Sequence, residues 1–173
     1  MIAAYSGRTP RVPASAFVAP TAVLVGDVVL GESASVWYGA VLRGDVGPIR
    51  VGSRTNIQDL CVLHTTRGRS GLRVGDEVTI GHRAILHGAT IEDRCLIGMG
   101  AILLDDCVVG EESLIAAGSV VLEGRIIPPR SFVAGAPAAV RGPIPPELHA
   151  RLRESAEGYV RLALEHAGPG AGA

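Results

Sequence analysis

Aliphatic residues recur every six positions along most of the chain, and this spacing restricts the folds that the sequence can form. Two insertions, 47–50 and 65–73, and one spacing of five residues interrupt the series. A β-strand repeats every two residues and an α-helix every 3.6, so neither element alone explains a period of six. The series ends near Val121 and contains these residues: Val18, Leu24, Leu30, Val36, Leu42, Val51, Ile57, Leu63, Val74, Ile80, Leu86, Ile91, Ile97, Leu103, Val109, Ile115 and Val121.

A short strand followed by a turn fits six residues, and three such units close one coil of a triangular prism. The aliphatic residue then fills the interior, and the small residue four positions later leaves room at a corner. The pattern predicts an all-β fold, a parallel β-helix that resembles the left-handed hexapeptide form. We expect a lead-in at 1–14, the β-helix domain at 15–142, a C-terminal α-helix at 143–166 that packs on the prism, and a disordered tail at 167–173.

The segment after the repeats changes character. Six prolines between positions 128 and 146 predict an extended crossing. Leu148, Leu152 and Ala156 then follow at helical spacing and predict an amphipathic helix. Trp37 directly follows an aliphatic position, so we expect it to point outward and to anchor a subunit interface.

Charge and composition exclude several classes of protein. The 16 basic and 17 acidic residues give a net charge of −1, which disfavours binding to nucleic acid or to an anionic membrane surface. No apolar run approaches the ~18–20 residues of a membrane span, and we expect a cytoplasmic protein. The three cysteines form no CxxC pair, so we expect them to be small buried side chains and not a zinc site.

Counting the repeats assigns the histidines to faces of the prism. If the faces are named A, B and C in turn, with Leu42 on face A, then Arg43, His64 and His87 form one column on face A. Asp59 and His82 stack on face C. Neighbouring strands are about 4.7–4.9 Å apart, so two imidazoles in one column can bind one ion. A threefold assembly would bring face A of one subunit near face C of the next, and three histidines would leave a fourth position for water.

Several of these residues together resemble the γ-class carbonic anhydrases. The resemblance rests on the segments Arg43-Gly44-Asp45 and Gln58-Asp59 and on His64, Gly81-His82 and His87-Gly88. It implies a homotrimer with zinc, or in some members iron or cobalt, at each subunit boundary, bound by His64, His82 and His87. It also implies reversible hydration of carbon dioxide to bicarbonate by metal-bound hydroxide.

The same resemblance implies roles for further residues. Gln58 matches an amide that orients the metal-bound solvent or substrate, and Tyr159 resembles a tyrosine near the site on the C-terminal helix. Arg43 and Asp59 match an ion pair across the subunit boundary. Asp45 matches another member of that interface network.

Two departures from the best-known members leave other functions open. Val46 stands where those members have an acidic residue, and the 65–73 insertion carries no carboxylate that could shuttle protons. Turnover could therefore be slow or absent. The alternatives are a hexapeptide acyltransferase that uses acetyl-CoA and a non-enzymatic trimeric scaffold that holds a structural metal.

Overall fold

The six-residue period produces short parallel strands that are joined by tight turns. A computed structural model, which describes residues 1–69 and 71–168, shows a parallel β-solenoid of about seven turns with one C-terminal helix, and the predicted fold class is confirmed. Of the tail expected to be disordered at 167–173, Ala167 belongs to the C-terminal helix, and residues 169–173 lie outside the described residues. The elements are β1 (Ile2–Ala3), β2 (Phe17–Val18), β3 (Val23–Leu30), β4 (Ser35–Val36), β5 (Val41–Val51), β6 (Asn56–Ile57), β7 (Val62–His64), β8 (Leu72–Val74), β9 (Thr79–Ile80), β10 (Ile85–His87), β11 (Thr90–Ile91), β12 (Leu96–Ile97), β13 (Ile102–Leu103), β14 (Val108–Val109), β15 (Leu114–Ile115), β16 (Val120–Val121), β17 (Ile126–Ile127), β18 (Ser131–Gly135), β19 (Ala138–Pro143) and α1 (Pro146–Ala167).

The strands stack into three faces that follow the predicted register. Face A contains the first halves of β3 and β5 and then β7, β10, β13 and β16. Face B contains the second halves of β3 and β5 and then β8, β11, β14 and β17. Face C contains β2, β4, β6, β9, β12, β15 and β18. One aliphatic residue of each strand points inward, so Leu42, Leu63 and Leu86 form a fully buried ladder on face A.

The two insertions leave this register intact by different means. In β5 the insertion forms a bulge between Gly44 and Ile49, opposite Gly26 and Val28 of β3. The second insertion is a loop between β7 and β8. Both insertions therefore add residues beside face A without moving the buried ladder.

The predicted end of the repeats near Val121 is wrong. Ile127 pairs with Val109, and Val133 pairs with Ile115, so the coil continues through β17 and β18. Pro128 and Pro129 lie at the turn between these strands and not in an extended crossing. A proline fits a turn of this kind because the turn needs no ladder hydrogen bond from its nitrogen.

Helix α1 begins after β19, three residues later than predicted, and packs across β2, β4, β6 and β9 of face C. Leu152, Ala156 and Ala163 are its buried residues. Trp37 is also buried here, with a ring-centroid distance of 5.2 Å to Tyr159 of the helix. The prediction that Trp37 anchors a subunit interface is therefore wrong, because the chain's own helix covers it. No helix in the described part of the chain is long and apolar enough to cross a bilayer.

An ion cluster holds the start of α1 against the solenoid. Glu112 accepts hydrogen bonds from Arg94 and Arg130, and its Oε2 lies 3.3 Å from Nε2 of His149 on the helix. The hydrogen bond from Arg130, above all, lowers the pKa of Glu112 to about 2, against the opposing effect of burial. His149 therefore has a structural partner, as its position outside the repeats indicates.

Candidate metal centre

Two histidines lie on adjacent rungs of face A because each ends a three-residue strand at the same register. β10 pairs with β7 in parallel, which places His87 beside His64. Nδ1 of His64 and Nε2 of His87 are 3.2 Å apart. Arg43 lies one rung further along, since Leu42 pairs with Leu63. The six-residue count predicts this column correctly.

Each of these imidazoles contacts a carboxylate through its other nitrogen. Nε2 of His64 is 3.0 Å from Oδ1 of Asp45, and Nδ1 of His87 is 3.1 Å from Oδ2 of Asp105. An ionised carboxylate only accepts hydrogen bonds, so each neutral imidazole directs its N–H to the carboxylate and keeps a lone pair on the opposite nitrogen. The two lone pairs then face each other, which is repulsive unless a cation or a proton lies between them.

The donor geometry fits a tetrahedral metal ion. Zinc with Zn–N distances of 2.0–2.1 Å holds two nitrogens about 3.3–3.4 Å apart, and the two imidazole nitrogens here are 3.2 Å apart. Histidine ligands in metal sites generally donate their second ring N–H to a carboxylate or carbonyl, as His64 and His87 do. Face A thus provides two oriented nitrogen donors.

A third histidine has the same arrangement on face C. Nδ1 of His82 is 2.7 Å from Oδ2 of Asp59, which lies one rung away, so the lone pair of its Nε2 remains available. A corner of the prism separates His82 from the pair on face A. Among the residues that the structure describes, no three histidine, cysteine or acidic side chains of one chain converge as a metal site.

Gln58 is held in one orientation by two hydrogen bonds next to His82. Its Oε1 accepts the backbone N–H of His82 at 3.1 Å, and its Nε2 donates to Oδ1 of Asn56 at 3.1 Å. Asn56 donates in turn to Thr79 at 2.9 Å, and Thr79 donates to Ser155 of helix α1 at 3.0 Å. The amide of Gln58 is buried, and one N–H remains free to bind another group.

Arg43 and Asp45 form an ion pair within the chain, at 2.5 Å between Nη1 and Oδ2. Burial raises the pKa of Asp45, but the hydrogen bonds from Arg43 and His64 outweigh it and hold that pKa below its ordinary value. Asp45 therefore stays ionised as the partner of His64. The expected pair of Arg43 with Asp59 joins two subunits and stays a prediction, and within the chain Asp59 contacts His82.

The chain is similar to several known proteins over most of its length. The family model described as bacterial transferase hexapeptide (six repeats) matches residues 88–123. "Gamma carbonic anhydrase 1, mitochondrial" of Arabidopsis thaliana is 44% identical over 165 residues, which cover 92% of this chain and 60% of that protein. "Protein YrdA" of Escherichia coli is 36% identical, over 94% of this chain and 91% of that protein. The chain belongs to the γ-carbonic anhydrase family.

A solved structure from Bacillus cereus, described as a putative acetyltransferase, is also similar. It is 40% identical with a TM-score of 0.92, over 94% of each chain. The present chain spans about 60% of the length of the first curated γ-carbonic anhydrases that it matches. Membership of the family is thus shown for the solenoid and its helix.

Tyr159 of helix α1 packs its ring against Trp37. Burial, above all, and the nearby negative charge of Asp59 raise the pKa of the Tyr159 hydroxyl. The hydroxyl therefore stays protonated at neutral pH. Tyr159 has a packing role in any case, and a role in solvent positioning stays a prediction.

Sequence reasoning missed Asp105, Thr66 and Asn56 at this candidate metal centre. Thr66 lies in the second insertion, and its hydroxyl donates to Oδ2 of Asp105 at 3.0 Å. The strand register could have indicated Asp105. Leu103 pairs with Leu86, so the turn that follows Leu103 lies beside His87. The repeat count gives the rung of such a residue but not the direction of its side chain.

The three cysteines behave as predicted. Cys61, Cys95 and Cys107 are free and buried, and burial raises the pKa of each thiol to about 12. A thiol with so high a pKa is a poor nucleophile and a poor metal ligand at neutral pH.

Proposed function

We propose that the protein is a carbonic anhydrase that hydrates carbon dioxide reversibly to bicarbonate, with zinc bound between subunits of a homotrimer. The observation that carries this proposal is the 3.2 Å distance between ring nitrogens of His64 and His87 on face A, whose other ring nitrogens each contact a carboxylate. His82, oriented by Asp59 on face C, supplies the third ligand from a neighbouring subunit. Three imidazoles leave one zinc position free, which is the ligand count of a catalytic site.

The outer surfaces of faces A and C support the assembly. On face A, Val62 and Ile85 are 39% and 38% exposed and continue an apolar ladder that also contains Val41, Ile102 and Val120. Between face C and helix α1 lies a groove of about 320 Å³ beside Gln58, lined by Leu96, Met99 and Leu114 together with Leu148 and Arg151 of the helix. A contact between face A of one copy and face C of the next is heterologous and closes into a ring under threefold symmetry.

The residues of the chain divide the chemistry between them. When bound, zinc supplies a Lewis-acid centre that makes water nucleophilic near neutral pH. The free N–H of Gln58 donates to an oxygen of the substrate and orients it, and its other bonds prevent the amide from turning. Asp45 and Asp59 hold the ring N–H groups of their histidines away from the metal.

The loop between β7 and β8 lacks a carboxylate that could carry protons away from the site. Each hydration releases a proton, and residues 65–69 and 71–73 offer no carboxylate to receive it. Arg69 pairs with Asp106 and Glu123, which ties the loop to the next coils. Because the loop offers no carboxylate, we expect protons to pass to buffer or through water and proton transfer to be the slow step of turnover.

Acyl transfer is the second candidate function, because the similar Bacillus cereus structure is described as a putative acetyltransferase. Such an enzyme needs one histidine as a general base. It does not need two imidazoles with facing lone pairs, which favours the metal-dependent function. A trimeric scaffold with a structural metal shares the site but predicts no turnover.

The test is to measure zinc content and carbon dioxide hydration in the purified protein. We expect about one zinc per chain, hydration that a chelator removes, and recovery of the activity when zinc is restored. Wild-type protein that takes up no zinc and hydrates no carbon dioxide would contradict the proposal. Acetyl-CoA turnover that a chelator does not affect would favour acyl transfer, and a zinc-loaded trimer without hydration would favour the scaffold.

A further inference from the structure

Asp105 lies one coil beyond His87 and is absent from the residues that the family resemblance assigns. It follows β13, and its side chain is 15% exposed. Its Oδ2 accepts two hydrogen bonds, from Nδ1 of His87 at 3.1 Å and from the hydroxyl of Thr66 at 3.0 Å. The carboxylate is thus tied to one histidine of the pair and to the loop beside it.

The other oxygen of Asp105 indicates that stability alone does not explain the position of the carboxylate. Oδ1 is buried and has no hydrogen-bond partner among the described residues. A buried carboxylate oxygen without a donor destabilises the folded state. Asp45 and Asp27, in contrast, each pair with an arginine, Arg43 and Arg50 respectively.

Gly88 makes the approach of Asp105 possible. A Cβ at Gly88 would lie 2.1 Å from Oδ1 of Asp105, and the φ of Gly88 is +61°. Any other residue there would displace the carboxylate from His87. The sequence His87-Gly88 therefore leaves room beside the imidazole for a carboxylate from the next coil.

We propose that Asp105 is a positioning residue that fixes the Nδ1–H form of His87 and turns its Nε2 lone pair toward the zinc of the proposed function. Thr66 fixes Asp105 in turn, so the loop contributes to metal affinity without touching the metal. Partners of this kind orient ligands, and their loss typically lowers metal affinity about 10–100-fold. Asp105 does for His87 what Asp45 does for His64.

Asp105→Asn tests this role, with Asp106→Asn as the matched control. Asp106 is the adjacent carboxylate, is 42% exposed, and contacts Arg69 instead of a histidine. We expect Asp105→Asn to weaken zinc binding about 10–100-fold in competition with a chelator, Thr66→Val to weaken it less, and Asp106→Asn to leave it unchanged. Thermal unfolding of each variant checks that the solenoid is folded.

A second measurement does not depend on metal. Nitrogen-15 NMR of the imidazoles in zinc-free protein reports which ring nitrogen carries the proton. We expect His87 to carry it on Nδ1 in the wild type and to lose this preference in Asp105→Asn. Unchanged zinc affinity together with an unchanged ring form in Asp105→Asn would overturn the inference. Wild type that binds no zinc but shows the fixed ring form would contradict the proposed function and support the positioning role.

Discussion

Replacing His87 with alanine is expected to remove the metal from the protein and to abolish carbon dioxide hydration. In the wild type, ring nitrogens of His64 and His87 are 3.2 Å apart. The variant loses one of this pair, so only His64 and His82 of the three proposed ligands remain. Because loss of an orienting partner alone costs about 10–100-fold in affinity, loss of a ligand should cost more than about 100-fold. Metal analysis of the purified variant and stopped-flow hydration measurements check both effects.

His149→Ala is the control for this prediction. His149 lies on helix α1 and contacts Glu112, away from the histidine column. We expect this variant to keep wild-type zinc content and hydration. Full zinc occupancy in His87→Ala would show that the column on face A is not the metal site.

Replacing Ile85 with aspartate is expected to dissociate the assembly and to empty the site, although all three histidines remain. Ile85 is 38% exposed and points outward beside His87, two residues away on the same strand. A carboxylate buried in an apolar contact costs several kcal/mol. Light scattering after size-exclusion chromatography should give the mass of one chain, and metal analysis should show no zinc.

Ile126→Asp is the matched control, because Ile126 points outward from face B and is 71% exposed. Face B takes no part in the proposed contact, so this variant should remain trimeric and keep its zinc. An Ile85→Asp protein that stays trimeric and fully loaded would place the subunit contact on another surface.

The repeat spacing predicts the solenoid and the pairing of His64 with His87 because a parallel ladder converts sequence distance directly into rungs. It fails after Val121, where a proline-rich segment contains two further strands with the inward residues Ile127 and Val133. Trp37 is misassigned because spacing shows that it points outward but not that α1 lies across it. The six-residue spacing describes the solenoid only. It does not predict which face the C-terminal helix packs against.

The repeat spacing also predicts only some of the carboxylates that contact the histidines. Asp59 and His82 stack by simple counting, so their contact is predictable. Asp45 reaches His64 from a bulge, and Asp105 reaches His87 from a turn, where the period no longer sets the side-chain direction. The Arg43–Asp59 pair, the identity of the metal and the cytoplasmic location stay predictions.

The central claim, that neighbouring chains share each site, is tested most directly by mixing two inactive variants. His87→Ala keeps His82 on face C, and His82→Ala keeps the histidine pair on face A. If equal amounts of the two chains assemble randomly into rings, about one quarter of the interfaces join an intact face A to an intact face C. We expect co-expressed trimers to recover about one quarter of the wild-type zinc and hydration, whereas mixtures with no more zinc than either variant alone would contradict the account.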